Sequence, residues 1–340
     1  MQPAKATVNR VGLCLLLAIA INLSASTQAQ EKLKARFLGH DQPAVIWTDP
    51  GDIAKKDLFA GPGGEKHQPK LPVTFVKEDK HGHNSKFDVV DADGKKWKAK
   101  LGIEAQPETV ATRLLWAVGY FANENYYVRD LEVEKLPAHL HRGQEHVISP
   151  DHVDSARLQR KDSKEDKSQQ WDWQHNKFVG TREFNGLRVM MALISNWDLK
   201  DDNNAVLLEK DRQEWLVTDV GTALGASGTK LTEDASKNNL KEFEHAKFIA
   251  RVTPEYVEFN FPRRPPLLYL FILPSYLHQI HMRWVGKHVP RADAKWVGTL
   301  LAQISTEQFH DAFRAGGYSP SQADAFTRVL QARIAELTRL

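Results

Sequence analysis

Three polar side chains in the middle of the chain have the types and the order that metal-assisted phosphoryl transfer requires. Asp198 and Asn203 stand five residues apart in Asn196-Trp197-Asp198-Leu199-Lys200-Asp201-Asp202-Asn203-Asn204, and an apolar run from Ala205 to Leu208 follows at once. A second apolar run, Trp215-Leu216-Val217, leads into Thr218-Asp219-Val220-Gly221. A carboxylate can orient an attacking hydroxyl, an amide oxygen can bind a hard cation, and a second carboxylate can hold the cations that neutralise the phosphates. Acid, amide, strand, turn, strand, acid puts all three on one hairpin. Asn204 competes with Asn203 for the amide role. The plain alternative is a capped turn between helix and strand, which Asp and Asn both favour.

In this order and spacing the chain resembles the protein-kinase-like superfamily. Asp198-Leu199-Lys200 with Asn203 is similar to the kinase catalytic loop, and Asp219-Val220-Gly221 to the D-F-G that follows it. Asn196-Trp197 stands where His-Arg would precede the catalytic acid, and no A-P-E follows. The likeness, over residues 71–225, is therefore to the atypical branches: HipA-type, phosphatidylinositol-kinase-like and secretory-pathway kinases. It implies an α+β, two-lobed fold, with a small antiparallel β-rich N-lobe carrying one helix and a larger, mainly α C-lobe. It implies ATP with Mg²⁺ or Mn²⁺ between the lobes, Asp198 orienting the acceptor, and Asn203 and Asp219 on metal. The family also carries a phosphate-binding lysine on its third strand, a helical glutamate that positions it, and a hairpin loop over the phosphates. Lys100 matches the lysine, with Lys98 on the same face as runner-up. Glu108 matches the glutamate, with Glu104 as the alternative. The loop His81–Lys86 matches the phosphate cover, through His83, Asn84, Ser85 and Lys86.

The elements that must position these groups are written in local patterns. Val73–Lys77 alternates, Phe87–Val90 runs to the tight-turn pair Asp93-Gly94, and Lys96–Leu101 follows, so three strands are expected. Pro107 suits a first helical turn, Val110, Leu114 and Ala117/Val118 form an apolar stripe, and Gly119 is a stop. That predicts a helix over 106–118, whose N-terminus would favour Glu108 even without a lysine. Tyr126–Val133 reads as a further strand and Glu183–Ile194 as a buried helix leading into the Asp198 loop. Gly61-Pro62-Gly63-Gly64 lacks the Gly-Lys-Ser/Thr ending of a phosphate loop and reads as a turn.

The expected organisation is a signal segment (1–29), an N-terminal extension (30–70), the small lobe (71–137), a polar connection (138–179) and the helical large lobe (180–340). Lys5 and Arg10, the apolar core Val11–Leu23 and Thr27-Gln28-Ala29 make the first of these a secretory signal, which predicts a periplasmic or extracellular protein. Cys14, the one cysteine, lies inside it, so no disulfide is expected. Residues 154–177 are densely charged and read as an exposed insertion, with Trp171 and Trp173 placed to anchor it or to meet a substrate. Leu267–Leu273 reads as a core helix, too short to span a bilayer, so no span is expected in the mature chain. Ser305-x-x-Gln308 and Ser319-x-x-Gln322 are capping boxes.

The formal charge is +3, two of it from Lys5 and Arg10, which gives no reason to expect nucleic acid. The leading expectation is an exported phosphotransferase acting on a protein, lipid headgroup, sugar or small metabolite. A catalytically inactive kinase-like binding protein of the cell envelope is the alternative. A third is a metal-binding envelope protein using His139, His141, His146 and His152, which would need a converging third ligand.

Overall fold

The computed structural model describes residues 42–80, 84–161, 165–166, 170–209, 211–226, 237–260 and 282–340. The expected signal segment, His81 to His83 of the hairpin loop, and the apolar run Leu267–Leu273 lie outside the described residues. The rest is a mixed α+β body.

After a short strand, β1 (Ala44–Val45), come β2 (Val73–Asp79), β3 (Lys86–Val90), β4 (Lys96–Leu101), helix α1 (Ala105–Ala117), β5 (Asn125–Glu134), β6 (Val147–Ser149) and β7 (His152–Arg160). The β3–β4 turn is closed by Asp91, whose carboxylate accepts from the backbone N–H of Asp93 and of Lys95 and from the Trp97 indole. Gly94 takes φ +75° there, which a side chain would resist. The strands pair in the order β4-β3-β2-β5-β7-β6, and β4 also pairs with β7, so five of them close on themselves. Every pairing is antiparallel except β2 with β5, a short parallel contact of Val73–Thr74 with Val133–Glu134. Val73, Phe87, Trp97, Leu131 and Leu158 fill the closed sheet.

β7 falls in the stretch expected to be a polar insertion. Its inward residues Val153 and Ala156 stand three apart across Ser155, which adopts φ +57°. The period-two alternation that marks a strand is thus broken, and Arg157 and Gln159 add charge and polarity on the cleft side.

A two-residue strand, β8 (Glu165–Asp166), precedes α2 (Arg182–Leu193), β9 (Asn204–Leu208), β10 (Gln213–Val217), α3 (Leu240–His245), β11 (Ile249–Val252), β12 (Tyr256–Phe259), β13 (Val289–Pro290), α4 (Arg291–Leu301), α5 (Thr306–Ala315) and α6 (Pro320–Thr338). β11, β12 and β13 form a small sheet within the region expected to be mainly helical. Both capping boxes are present, Ser305 with Gln308 and Ser319 with Gln322. Phe313 stacks on Phe326 with ring centroids 5.4 Å apart. The stripe of α1 (Val110, Leu114) joins this second, larger core rather than that of the closed sheet. The helix is therefore packed on one body of residues while its first turn reaches β4 of the other. Gly119 ends it where a Cβ would lie 2.1 Å from the Thr48 carbonyl oxygen. No helix among the described residues is long and apolar enough to cross a membrane.

Candidate active site

Lys100, one residue before the end of β4, pairs with Arg157 of β7 on one side and Lys86 of β3 on the other. The chain then turns directly into α1, so Glu104, ahead of the first helical residue, and Glu108, in the first turn, face back to the strand end. The Lys100 Nζ lies 2.5 Å from Glu104, 3.0 Å from Glu108 and 3.0 Å from Asp219. Its side chain is 2% exposed and that of Glu108 is fully buried. Both sequence candidates for the lysine's partner are thus in contact with it. Glu104 also pairs with Lys237 and accepts from Asn84 Nδ2 at 2.8 Å. Glu108 also meets Arg157 Nη2 at 3.0 Å, and Arg157 Nη1 donates to Gln159 at 2.6 Å.

Buried ions of this kind survive only when they are paired and further hydrogen-bonded. Burial disfavours the Lys100 ammonium, but Asp219, Glu108 and Glu104 outweigh it and raise its pKa above the lysine range. Burial would raise Asp219; Lys100, with the Gly221 N–H, instead holds it below the usual carboxylate range. Glu104 is lowered in the same way, burial being overcome by Lys100 and Lys237. Glu108 goes up, because full burial exceeds the help from Arg157 and Lys100. The cations are thus shared unevenly, holding Asp219 and Glu104 ionised while Glu108 is pushed up.

The Asp219-Val220-Gly221 turn approaches this cluster closely. A Cβ on Gly221 would lie 2.9 Å from Glu104 Cβ and 3.0 Å from Lys100 Nζ. A side chain at position 221 would crowd Glu104 and the lysine that Asp219 meets. On the other side, Asn203 ends a 3-10 turn (Asp201–Asn203) and enters β9. Its Nδ2 donates to the Asp198 carbonyl at 2.8 Å and lies 3.4 Å from the Asp198 carboxylate. Its own carbonyl accepts from the Thr218 N–H at 2.7 Å and from the Thr218 hydroxyl at 3.0 Å. Asp198, Asn203 and Asp219 are so brought onto one hairpin. Asn204 points away, buried, and donates to the Trp171 carbonyl at 2.8 Å. Trp171 and Trp173 are both buried and anchor their segment, Trp171 donating to Leu216 O.

Between Lys100, Asn203 and Asp219 lies a cavity of about 220 Å³, whose lining also includes Lys86, Lys98 and Arg157 but not Asp198. Lys98 is paired with Asp79 at 2.6 Å. Lys86 makes no ion pair within the described residues; burial first, then the nearby Lys98 and Lys100, lower its pKa against the pull of Asp79 and Asp219. Such an ammonium gains from an added anion. Asn84 turns to Glu104 and Ser85 packs beside Gly143, and neither lines the cavity. His83 lies outside the described residues.

Several contributors carried no sequence signal. Arg157, Gln159 and Lys161 lie in and just past the strand hidden by Ser155, and Lys237 is isolated in a polar stretch. Asn196, two residues before Asp198, is buried and accepts from the Thr222 hydroxyl, and Thr222 in turn accepts from the Asp198 N–H at 3.3 Å. Its place just before Asp198 was the one available hint. Of the histidine cluster, His152 pairs with Asp151 and His146 lies 3.7 Å from Glu145. No group of three His, Cys, Asp or Glu among the described residues is placed to hold a metal.

No protein-family model matches the chain, and no curated protein does. Among solved structures, the chain is similar to the Helicobacter pylori proinflammatory kinase CtkA at 10% identity, over 80% of this chain and 98% of that one, with a TM-score of 0.43. It is similar to the Golgi casein kinase at 13% identity, over 80% of this chain and 73% of that one, with a TM-score of 0.32. A structure of the Golgi casein kinase with Mn/ADP bound matches at 12% identity, over 99% and 90%, with a TM-score of 0.35.

Proposed function

We propose that this chain is a metal-dependent phosphotransferase with a two-lobed, kinase-like layout, moving the terminal phosphoryl group of ATP or a like phosphoanhydride to a hydroxyl acceptor. One observation carries the reading. Lys100 and Asp219, 119 residues apart, meet at 3.0 Å beside Glu108, in a cavity also lined by Asn203. A buried lysine held between a helical glutamate and the acid of a D-x-G turn is the electrostatic frame that phosphoryl transfer uses.

The donor set fits a hard divalent cation. Asp219 supplies a carboxylate kept ionised by Lys100, and Asn203 turns its Nδ2 to Asp198, leaving Oδ1 with no donor among the described residues. Oxygen ligands of these types suit Mg²⁺ or Mn²⁺, which would neutralise the phosphate charge developed during transfer. Lys100 would bind phosphate oxygens, with Glu108 and Glu104 fixing its position. Asp198, 21% exposed, would orient the acceptor hydroxyl and draw its proton. The acceptor would be a protein, lipid headgroup, sugar or small metabolite, and the signal-like sequence of residues 1–29 supports an activity outside the cytoplasm.

Calorimetric titration with ATP, with and without Mg²⁺, tests the assignment. Asp219→Ala should abolish metal-dependent binding, whereas Asp198→Ala should keep most of it and lose transfer. Equal loss in two folded variants would show the roles to be wrong. Metal-dependent binding with no transfer to any acceptor class would leave an inactive nucleotide-binding protein.

A further inference from the structure

Glu104 does not cap the helix it precedes. Its carboxylate instead bridges two lysines, Oε2 toward Lys100 and Oε1 toward Lys237, while Asn84 Nδ2 donates to Oε2 at 2.8 Å. The bridge is enclosed, with 4% of the Glu104 side chain and 6% of the Lys237 side chain exposed. Lys237 is placed by a short strut that pairs back on the chain just past the Asp219 turn. The Asn238 N–H donates to the Ala223 carbonyl at 3.1 Å, and the Asn239 N–H to the Leu224 carbonyl at 2.8 Å. Asn238 adopts φ +47°, a left-handed conformation that asparagine tolerates better than most residues. Its side chain donates to Gln106 of α1 at 3.1 Å and accepts from the Tyr318 hydroxyl. Asn239 caps α3 by accepting from the Glu242 N–H. The Lys237 ammonium also lies 5.8 Å from the ring of Trp197, the neighbour of Asp198. One residue thus joins the start of α1 to the loop that carries Asp198.

An arriving phosphate meets a shortage of donors at Lys100. Three carboxylates already stand within 3.0 Å of its ammonium, as many as the ammonium has N–H groups. A phosphate oxygen gains one of them only if a carboxylate gives it up, and a buried carboxylate stripped of its cation is strongly destabilising. Glu108 is fully buried and its carboxyl is already pushed up, so losing Lys100 would favour its neutral form. Asp219 turns to the metal on the proposed assignment. Glu104 is the partner that can be released, because Lys237 and Asn84 continue to hold it. We infer that Lys237 is a positioning residue, which keeps Glu104 paired and so lets Lys100 leave that carboxylate for a phosphate. This rests on the phosphotransferase reading and deepens it. Among the described residues Lys237 also brings the linked cations, Lys100, Arg157 and Lys237, level with the three carboxylates Glu104, Glu108 and Asp219. Without it, Glu104 would hold Lys100 against the incoming phosphate.

Calorimetry on the full chain with Mg²⁺ and ATP tests it, with circular dichroism establishing that each variant is folded. Lys237→Met should weaken ATP binding by about tenfold, the scale of one lost charge-assisted contact. Adding Glu104→Gln to Lys237→Met should bring the affinity back to within about threefold of the parent chain, since the carboxylate that held Lys100 is then uncharged. A lysine that merely braced the fold would leave the affinity of folded protein unmoved and would gain nothing from that second change. If Lys237→Met alone fails to fold, the double variant should fold and bind ATP within about threefold of Glu104→Gln. Affinity within about twofold of the parent in folded Lys237→Met, no recovery in the double variant, or a double variant that is itself unfolded would overturn the inference. Each of these leaves the phosphotransferase standing. If the parent chain binds no ATP with Mg²⁺, the phosphotransferase reading falls, and this inference with it.

Discussion

Lys100 and Asp198 both meet the Asp219–Thr222 segment, and they are held by opposite means. Lys100 is enclosed, its ammonium within 3.0 Å of three carboxylates that two further cations also hold. Asp198 keeps 21% of its side chain exposed, and the lysine salt-bridged to it, Lys200, keeps 51%. Ion pairs of the first kind are rigid and costly to break; those of the second are screened by water and worth little. The contrast separates two tasks. On the proposed assignment, the groups that would meet the phosphates are set in place beforehand, while the carboxylate that would meet an acceptor is left able to adjust.

The largest expected effect tests the enclosed side. Lys100→Met leaves Glu104, Glu108 and Asp219 without their common cation and should cost about 3–5 kcal/mol of stability, read from urea unfolding. A cost below about 1 kcal/mol would put Lys100 in the class of exposed pairs and erase the contrast. Gly221→Ala comes next. Its Cβ would sit 2.9 Å from Glu104 Cβ, so crowding should cost about 1–3 kcal/mol and push Asp219 off the lysine, weakening metal-dependent binding of ATP. Unchanged stability and affinity would mean that the turn approaches α1 less closely than described.

Coupling and pH sharpen the same point. Glu108→Gln combined with Lys100→Met should be non-additive by about 0.5–3 kcal/mol, since the residues share one network. Simple addition would make them independent. Asp219 and Glu104 have lowered pKa values, so their stabilisation is present above the ordinary carboxylate range, about pH 4, and is lost as pH falls below it. Glu108 is raised and acts the other way, favouring the fold at low pH. The raised Lys100 contributes fully below the ordinary lysine value of about 10.4 and is lost only at higher pH. The urea midpoint should therefore drop in acid, and the drop should be shallower in Lys100→Met. An identical acid profile would assign the stabilisation to other carboxylates. The smallest effect belongs to the open side: Lys200→Ala should change stability by about 0–1 kcal/mol, and a larger loss would contradict its exposure.

Much of the frame was legible because its signals are local. The turn pair Asp93-Gly94, the Pro107-to-Gly119 punctuation and the two capping boxes depend on neighbouring residues, and the corresponding elements fall within two residues of expectation. The strand β7 was not legible, since Ser155 breaks its alternation and its cleft face is charged. With it went Arg157, Gln159 and Lys161, the residues that most change the character of the cavity. The choice between Asn203 and Asn204 was likewise undecidable from order alone. Burial of Asn204 against Trp171 separates them in space.

What the sequence by itself determined is a set of candidate types and their order: Lys98 or Lys100, Glu104 or Glu108, Asp198, Asn203 or Asn204, and Asp219, each on an element that short-range chemistry can specify. The tertiary structure decided which of them touch. Lys100 and Asp219 meet because α1 packs its apolar stripe on one core while its first turn faces a strand of the other. Glu104 and Glu108 share the lysine because the strand end and the helix start meet at a sharp turn. Such contacts depend on burial and charge balance summed over residues distant in the chain, and no spacing rule along the sequence encodes that sum.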